Sequence, residues 1–318
     1  EIVERATRRP ARALGCMYFV AGATGNVGSQ VVRKLSESGV GVKAQTRSST
    51  GGKVAELQRL PGVEIVACDL MDKAGLAEAL QGVKAVFLVC GNAKEQAQME
   101  INVIDAAVAA GCTYLVENGT HAGYTNKDSP VEFGRHHWEI EEHLAKSAGA
   151  MKWTVLHANW FMSNHLGDIF GTLPNGAIVY PLKPEDKAQL VDPRDVGDIA
   201  AQMLLDSDPS KYHGLHLMIS GPDVLTWSQI AALYTEELGR PIEMATCSEP
   251  EWVAAAIKGS GFEHWLAEAA AHNFKVIRDG GFLHTTSPQL LALAPPRRTM
   301  KEWIAEWAPR SPPPPAAQ

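Results

Sequence analysis

The sequence predicts an α/β fold: a doubly wound parallel sheet followed by a smaller C-terminal substrate lobe. Three observations carry this. Short apolar runs bounded by glycine alternate with segments of helical spacing, the pattern of a parallel sheet covered on both faces. A glycine-rich stretch falls at the first strand-to-helix turn. The alternation is then interrupted by Pro- and Gly-broken segments that do not extend it.

Taken in order, "CMYFVAG" reads as a buried strand. "NVGSQVVRKLSESG" reads as a helix, with Val27, Val31, Val32 and Leu35 at helical spacing and Gly39 as its stop. "GVKAQTR" (strand), "GGKVAELQRLPG" (helix), "VEIVACD" (strand), "KAGLAEALQG" (helix) and "KAVFLVCG" (strand) continue the series. "QMEINVIDAAVAAG" (helix), "TYLVENGT" (strand) and "SPVEFGRHHWEIEEHLAKSAG" (helix) follow, then "KWTVLHA" (strand), "DVGDIAAQMLLD" (helix) and "GLHLMIS" (strand). In the long helix Ser129 is expected at the N-cap, with Pro130 in the first turn and Glu132 three residues after the cap. Residues 17–159 therefore form a nucleotide-binding domain completed by 193–221. Segments 160–192 and 222–309 form the lobe, over the carboxyl edge of the sheet, where open α/β sheets bind ligands.

Composition bounds the function. A net charge of −7 and a pI near 5.9 argue against a nucleic-acid-binding surface. The five cysteines are scattered without a CxxC motif, so reduced thiols are expected. No apolar run approaches the roughly 18 residues that span a bilayer. Residues 1–16, "EIVERATRRPARALGC", carry four arginines and read as a flexible extension or a transit-peptide remnant. The compartment expected is cytoplasmic, or an organelle stroma or matrix if the remnant reading holds. Residues 310–318, "RSPPPPAAQ", read as a disordered Pro-rich tail.

"YFVAGATGNVGSQVV" places Gly22, Gly25 and Gly28 at the first turn, with Thr24, Asn26 and Val27 between them. Glycine there permits the tight turn, lets backbone amides approach a pyrophosphate and allows close helix–sheet packing. The βαβ context makes this a Rossmann-type dinucleotide site, rather than a glycine turn without a ligand. An NAD site usually carries an acid about 20 residues on, for the ribose 2′-hydroxyl. Here "VKAQTRSSTGGK" has none and supplies Arg47, Ser48 and Lys53, which suit a 2′-phosphate; NADP(H) is the expected cofactor. The alternative for Arg47 is a solvated loop charge.

The GxxGxxG spacing of "GATGNVG" resembles the short-chain dehydrogenase/reductase superfamily, in particular its atypical NmrA-like branch. "VEIVACDLMD", "WTVLHANWFMSN", "VDPRDVGDIAA", "ISGPDVLTWSQIAALYTEELGRPI" and "RTMKEWIAEW" are similar to that family's successive motifs, in order and spacing. The resemblance places Asp69 and Leu70 beside the adenine, although helix capping would equally explain Asp69. It places Gly91, Thr120 and Asn159 along the cofactor, and Trp160 and Phe161 at the substrate. Those two aromatics could equally serve inter-lobe packing.

The segment "FGRHHWEIEEH", residues 133–143, packs three histidines and three glutamates into one helix. His136, Glu139 and His143 share a face, but i and i+7 lie about 10 Å apart along the axis, so a solvated face is expected and no metal. Typical reductases of the superfamily carry Tyr-x-x-x-Lys on this helix. By resemblance, Phe133 takes the Tyr position and His137 the Lys position, and no tyrosine in the chain has a lysine four residues later. His137 is the substitute expected, on the cofactor side or as proton donor. Tyr124 is the second candidate donor, weighed against an inert surface aromatic. The family's usual Arg-Pro is His157-Ala158 here.

Two functions follow. One is an NADPH-dependent reductase passing hydride to a small planar acceptor such as a quinone, imine or activated alkene, without the usual dyad. The other is a redox-sensing regulator that binds NADP(H) without turnover. A protein partner or a homodimer is compatible with either.

Overall fold

A computed structural model describes residues 16–314. The arginine-rich extension, apart from Cys16, and residues 315–318 lie outside the described residues. The first half alternates as expected. It contains β1 (Met17–Val20), α1 (Asn26–Glu37), β2 (Gly41–Thr46), α2 (Gly52–Gln58), β3 (Val63–Ala67), α3 (Lys73–Ala79), β4 (Val83–Leu88) and α4 (Gln96–Ala109). β5 (Tyr114–Gly119), α5 (Glu132–Ser147) and β6 (Lys152–Ala158) complete this run.

The second half is less regular. It holds α6 (Leu166–Phe170), β7 (Ala177–Tyr180), β8 (Lys187–Ala188), α7 (Pro193–Leu205), β9 (Leu215–Ile219), β10 (Leu225–Thr226) and α8 (Trp227–Leu238). β11 (Glu243–Thr246), α9 (Glu249–Ser260), α10 (His264–Arg278), α11 (Pro288–Leu293) and α12 (Met300–Trp307) follow.

Seven strands form one parallel sheet in the order β3-β2-β1-β4-β5-β6-β9. The order reverses between β1 and β4, so their carboxyl ends part there and leave a crevice, where such sheets bind ligands. Each face of the sheet is buried. Val31, Val32 and Leu35 of α1 pack with Val196, Ile199 and Met203 of α7 on one face. Leu76, Val103, Ile140 and Leu144 cover the other. A third core belongs to the lobe, where Trp227, Ile230, Tyr234, Phe274 and Trp303 pack around β7, which pairs with β11. Its helices start with signals visible in the sequence: Thr226, Ser248 and Thr299 each close a reciprocal capping box.

One expectation is corrected. The long helix starts at Glu132, with Val131 at its N-cap; Ser129 Oγ instead accepts from the Val131 amide, so the turn it makes ends before the helix begins. The first two residues of the Pro-rich tail, Arg310 and Ser311, make contacts with the rest of the chain. The Arg310 guanidinium lies 4.0 Å over the Trp307 ring and Ser311 Oγ donates to the Ile169 carbonyl.

Candidate functional site

The site is built at the carboxyl ends of the central strands. The first turn leaves β1 through Gly22 at φ +59°, a conformation that favours glycine. A methyl at Gly22 would lie 2.5 Å from the Val89 carbonyl oxygen, and one at Gly28 would lie 2.3 Å from the Gly22 carbonyl oxygen. The helix that follows, α1, has Gly25 at its N-cap and no side-chain cap, so its first amides and the positive end of its dipole are available to an anion. The turn is held from β2: Gln45 Oε1 accepts from the Gly22 amide at 2.9 Å and its Nε2 donates to the Cys68 carbonyl at 2.6 Å. Nothing in the local sequence singled out Gln45, because its partners lie 23 residues away on each side.

Lys53 reaches back to the turn, its Nζ 3.4 Å from the Thr24 carbonyl, and Arg47 and Ser48 are exposed at the end of β2. Asp69 is exposed; its carboxylate accepts from the Met71 amide, and it is Asp72 that caps α3. Leu70 is buried, its carbonyl held by Asn102. Gly91 is exposed after β4 with open space where a side chain would stand. Asn26 Nδ2 donates to Ser163 Oγ at 3.2 Å, which ties the turn to the loop leaving β6.

Beyond the turn opens a cavity of about 630 Å³. From the strand ends it is lined by Asn92, Thr120, Tyr124, Phe133, Asn159, Trp160 and Phe161, and from the lobe by Tyr180, Trp252, Leu266, Phe274 and Phe282. No carboxylate, histidine, lysine or arginine lines it among the described residues. A larger, charged groove of about 850 Å³ runs along α7 from Arg194 to Leu205, between the C-terminal end of α1 and residues 293–306, and no residue of the glycine turn lines it.

Tyr124 is therefore not a surface aromatic. Its ring is buried on the cavity wall, 6.0 Å from the Phe282 ring, and its hydroxyl lies 2.8 Å from Thr120 Oγ1. Burial pushes the phenol up to about 12, so it stays a neutral donor at physiological pH. The other cavity phenol, Tyr180, is committed to Asp168 Oδ2 at 2.5 Å. Gly134 makes the Tyr124 position possible, since a methyl there would lie 2.1 Å from the Tyr124 carbonyl oxygen. Phe133, one residue earlier, presents its ring to the same cavity.

Asn159 acts as a clamp. Its Nδ2 donates to Ser220 Oγ and the Phe282 carbonyl, and its Oδ1 accepts from the Trp160 amide. The segment 282–287 is further held against β9 by Thr286 and Ser287, which carries Phe282 to the cavity. Trp160 is only half-buried, in edge contact with Tyr180 and Phe274, and so both packs between the lobes and faces the cavity.

His137 lies elsewhere. It is buried and does not line the cavity. Gln96 Nε2 donates to its Nε2 at 3.0 Å, leaving Nδ1–H to donate to Glu117 Oε1 at 2.9 Å. Both ring nitrogens are thus used inside the protein, and burial lowers the imidazole pKa. Gln96 also donates to Glu100, whose carboxyl burial raises to about 7. His136 and His143 pair separately, with Glu132 at 3.9 Å and Asp105 at 2.7 Å, so the helix face does not assemble a ligand set.

Comparison with known proteins agrees with this architecture. The NmrA-like family model matches residues 18–304. The NAD(P)H azoreductase of Xenophilus azovorans is 33% identical over 253 residues, covering 80% of this chain and 84% of its own length. The NADPH complex of the quinone oxidoreductase QOR2 from Escherichia coli superposes with a TM-score of 0.77 at 26% identity, covering 91% of this chain and 99% of its own. The negative transcriptional regulator NmrA in complex with NADP shares the fold, with a TM-score of 0.77 at 18% identity over 93% of this chain and 96% of its own.

Proposed function

The chain belongs to the NmrA-like family, and from that premise we propose that it is an NADPH-dependent reductase of a small, planar, uncharged acceptor: a quinone, an imine or an activated alkene. One observation carries the reading. The cavity at the strand ends is aromatic, free of charged side chains and furnished with the Thr120–Tyr124 hydroxyl pair.

The glycine turn fits the cofactor. Only glycine leaves room at Gly22 and Gly28, and the uncapped amides of α1 suit the pyrophosphate. Arg47 and Lys53 would hold the 2′-phosphate, Leu70 and Asp69 would flank the adenine, and Gly91, Thr120 and Asn159 would border the remainder. NADPH supplies a hydride when bound. The rest falls to this chain's own residues. Trp160, Phe161 and Phe274 offer an apolar wall to a flat ring and would exclude water, which strengthens any hydrogen bond made inside. The 2.8 Å contact lets either hydroxyl donate; with Thr120 as donor to the Tyr124 oxygen, the phenolic hydrogen is left to donate to a carbonyl oxygen or imine nitrogen of the acceptor. Tyr124 thereby takes the donor role that the sequence suggested first for His137. His137 becomes a positioning residue that fixes α5 and the end of β5 through Glu117.

The test has two steps. Calorimetry is expected to show NADPH bound more tightly than NADH. Nicotinamide absorbance is then followed with a panel of quinones, imines, azo compounds and activated alkenes, and at least one is expected to consume NADPH. Tight NADPH binding with no consumption by any member would sink the reductase reading and favour a non-catalytic NADP(H) sensor.

A further inference from the structure

Behind the cavity wall, between the sheet edge and α5, three side chains converge from distant parts of the chain: Glu141 of α5, His157 of β6 and His216 of β9. We propose that they bind one divalent transition-metal ion of the zinc class.

The geometry is that of a ligand set. His216 Nδ1 lies 3.2 Å from Glu141 Oε2, His157 Nε2 lies 3.8 Å from the same oxygen, and the two nitrogens are 3.1 Å apart. Ligand atoms about 2.05 Å from a tetrahedral ion stand about 3.3 Å from one another, so this triangle closes around a zinc-sized ion with little movement. His157 is already in the right tautomer. Its Nδ1 hydrogen bonds the Thr120 carbonyl at 2.5 Å, which leaves the Nε2 lone pair aimed at the centre, and such an outer hydrogen bond is the usual support of a metal-binding imidazole.

Without an ion the cluster is poorly satisfied. His216 Nδ1 has one hydrogen to share between the Glu141 oxygen and His157 Nε2. Glu141 Oε1 and Glu117 Oε2, both buried, flank Gly119 and have no hydrogen-bond partner among the described residues. Glu141 is at least nine-tenths buried, as is His157, while His216 is 42% exposed in its side chain and gives the ion a way in. Two imidazoles, one carboxylate and an open fourth position suit Zn²⁺ in preference to Ca²⁺ or Mg²⁺, which favour all-oxygen sites.

Occupancy would pin the edge strand β9 to α5. It would also steady the Thr120 backbone through His157, and Thr120 carries the hydroxyl beside Tyr124.

The test uses the full chain stripped with chelator and titrated with Zn²⁺ by calorimetry, with metal content read by mass spectrometry. Co²⁺ supplies a second readout through the visible bands of tetrahedral coordination. One ion per chain is expected, together with a rise in Tm. His216→Ala, at a half-exposed position, and Glu141→Gln should each weaken Zn²⁺ by about 100-fold or more while NADPH affinity stays as in the parent. His264→Ala, at an exposed histidine on α10, should leave Zn²⁺ binding intact. No uptake by the parent, or uptake equal in the parent and His216→Ala, would overturn the site and leave a hydrogen-bonded trio. These readouts are independent of turnover.

Discussion

Replacing Gly134 with alanine adds one methyl group at the point where α5 meets the Tyr124 loop. The new carbon would stand 2.1 Å from the Tyr124 carbonyl oxygen, 2.7 Å from Ser129 Oγ and 2.9 Å from Tyr124 Cδ2. Ordinary contact begins at 3.4 Å, so the Tyr124 backbone must retreat by 3.4 − 2.1 = 1.3 Å. Overpacking of this kind costs about 1–3 kcal/mol, which lowers Tm by several degrees without abolishing the fold. The larger effect falls on chemistry. A displacement of about 1 Å in a positioned catalytic group costs on the order of 100-fold in rate. The variant is expected to lose about that much kcat/KM in NADPH oxidation by a reactive quinone, while NADPH affinity, set at the glycine turn, stays near the parent value. Scanning fluorimetry, calorimetry and steady-state kinetics on one preparation separate the three quantities. An unchanged kcat/KM in a variant with a lowered Tm would refute the placement of Tyr124 as donor.

Three further outcomes are expected. Gly28→Ala puts a methyl 2.3 Å from the Gly22 carbonyl oxygen and should reduce NADPH affinity by about two orders of magnitude, read by calorimetry. Arg47→Ala and Lys53→Ala should each weaken NADPH by about 10-fold, the worth of one charge-assisted hydrogen bond, and leave NADH affinity unchanged; equal losses for both nucleotides would reverse the cofactor assignment. His121 is buried, with its pKa pushed down to about 3 by loss of solvent, while the unfolded chain keeps the ordinary value of 6.5. Between these values the unfolded state binds the extra proton, so the parent loses stability as pH falls from 6.5 towards 3. His121→Asn, which keeps an acceptor for the Gly123 amide, should remove up to about 1.4 kcal/mol per pH unit of that slope in denaturant titrations.

Local features were legible in the sequence. Gly22, Gly25 and Gly28 announce a turn through conformation and spacing, and the strand–helix alternation follows from periodicity. Capping boxes such as Thr226 with Gln229 are signals of three or four residues. What escaped detection depends on partners far along the chain. His137 looked like a substitute for a missing lysine, yet Gln96 and Glu117, from α4 and β5, draw it into the interior. Tyr124 looked like a surface ring because the residue that covers it, Phe282, belongs to a segment without secondary-structure periodicity. The Glu141, His157 and His216 set was invisible for the same reason: only the pairing of β6 with β9 brings the two imidazoles together.

The most direct measurement is a single-turnover experiment. Enzyme loaded with NADPH is mixed with excess quinone in a stopped-flow cell and the nicotinamide absorbance is followed, for the parent and for Tyr124→Phe. The parent is expected to lose its absorbance far faster than NADPH and quinone free in buffer, and Tyr124→Phe to react at least about 10-fold more slowly with NADPH affinity retained. Decay at the buffer rate in the parent would contradict the reductase reading. Equal rates in parent and variant would contradict the role given to Tyr124.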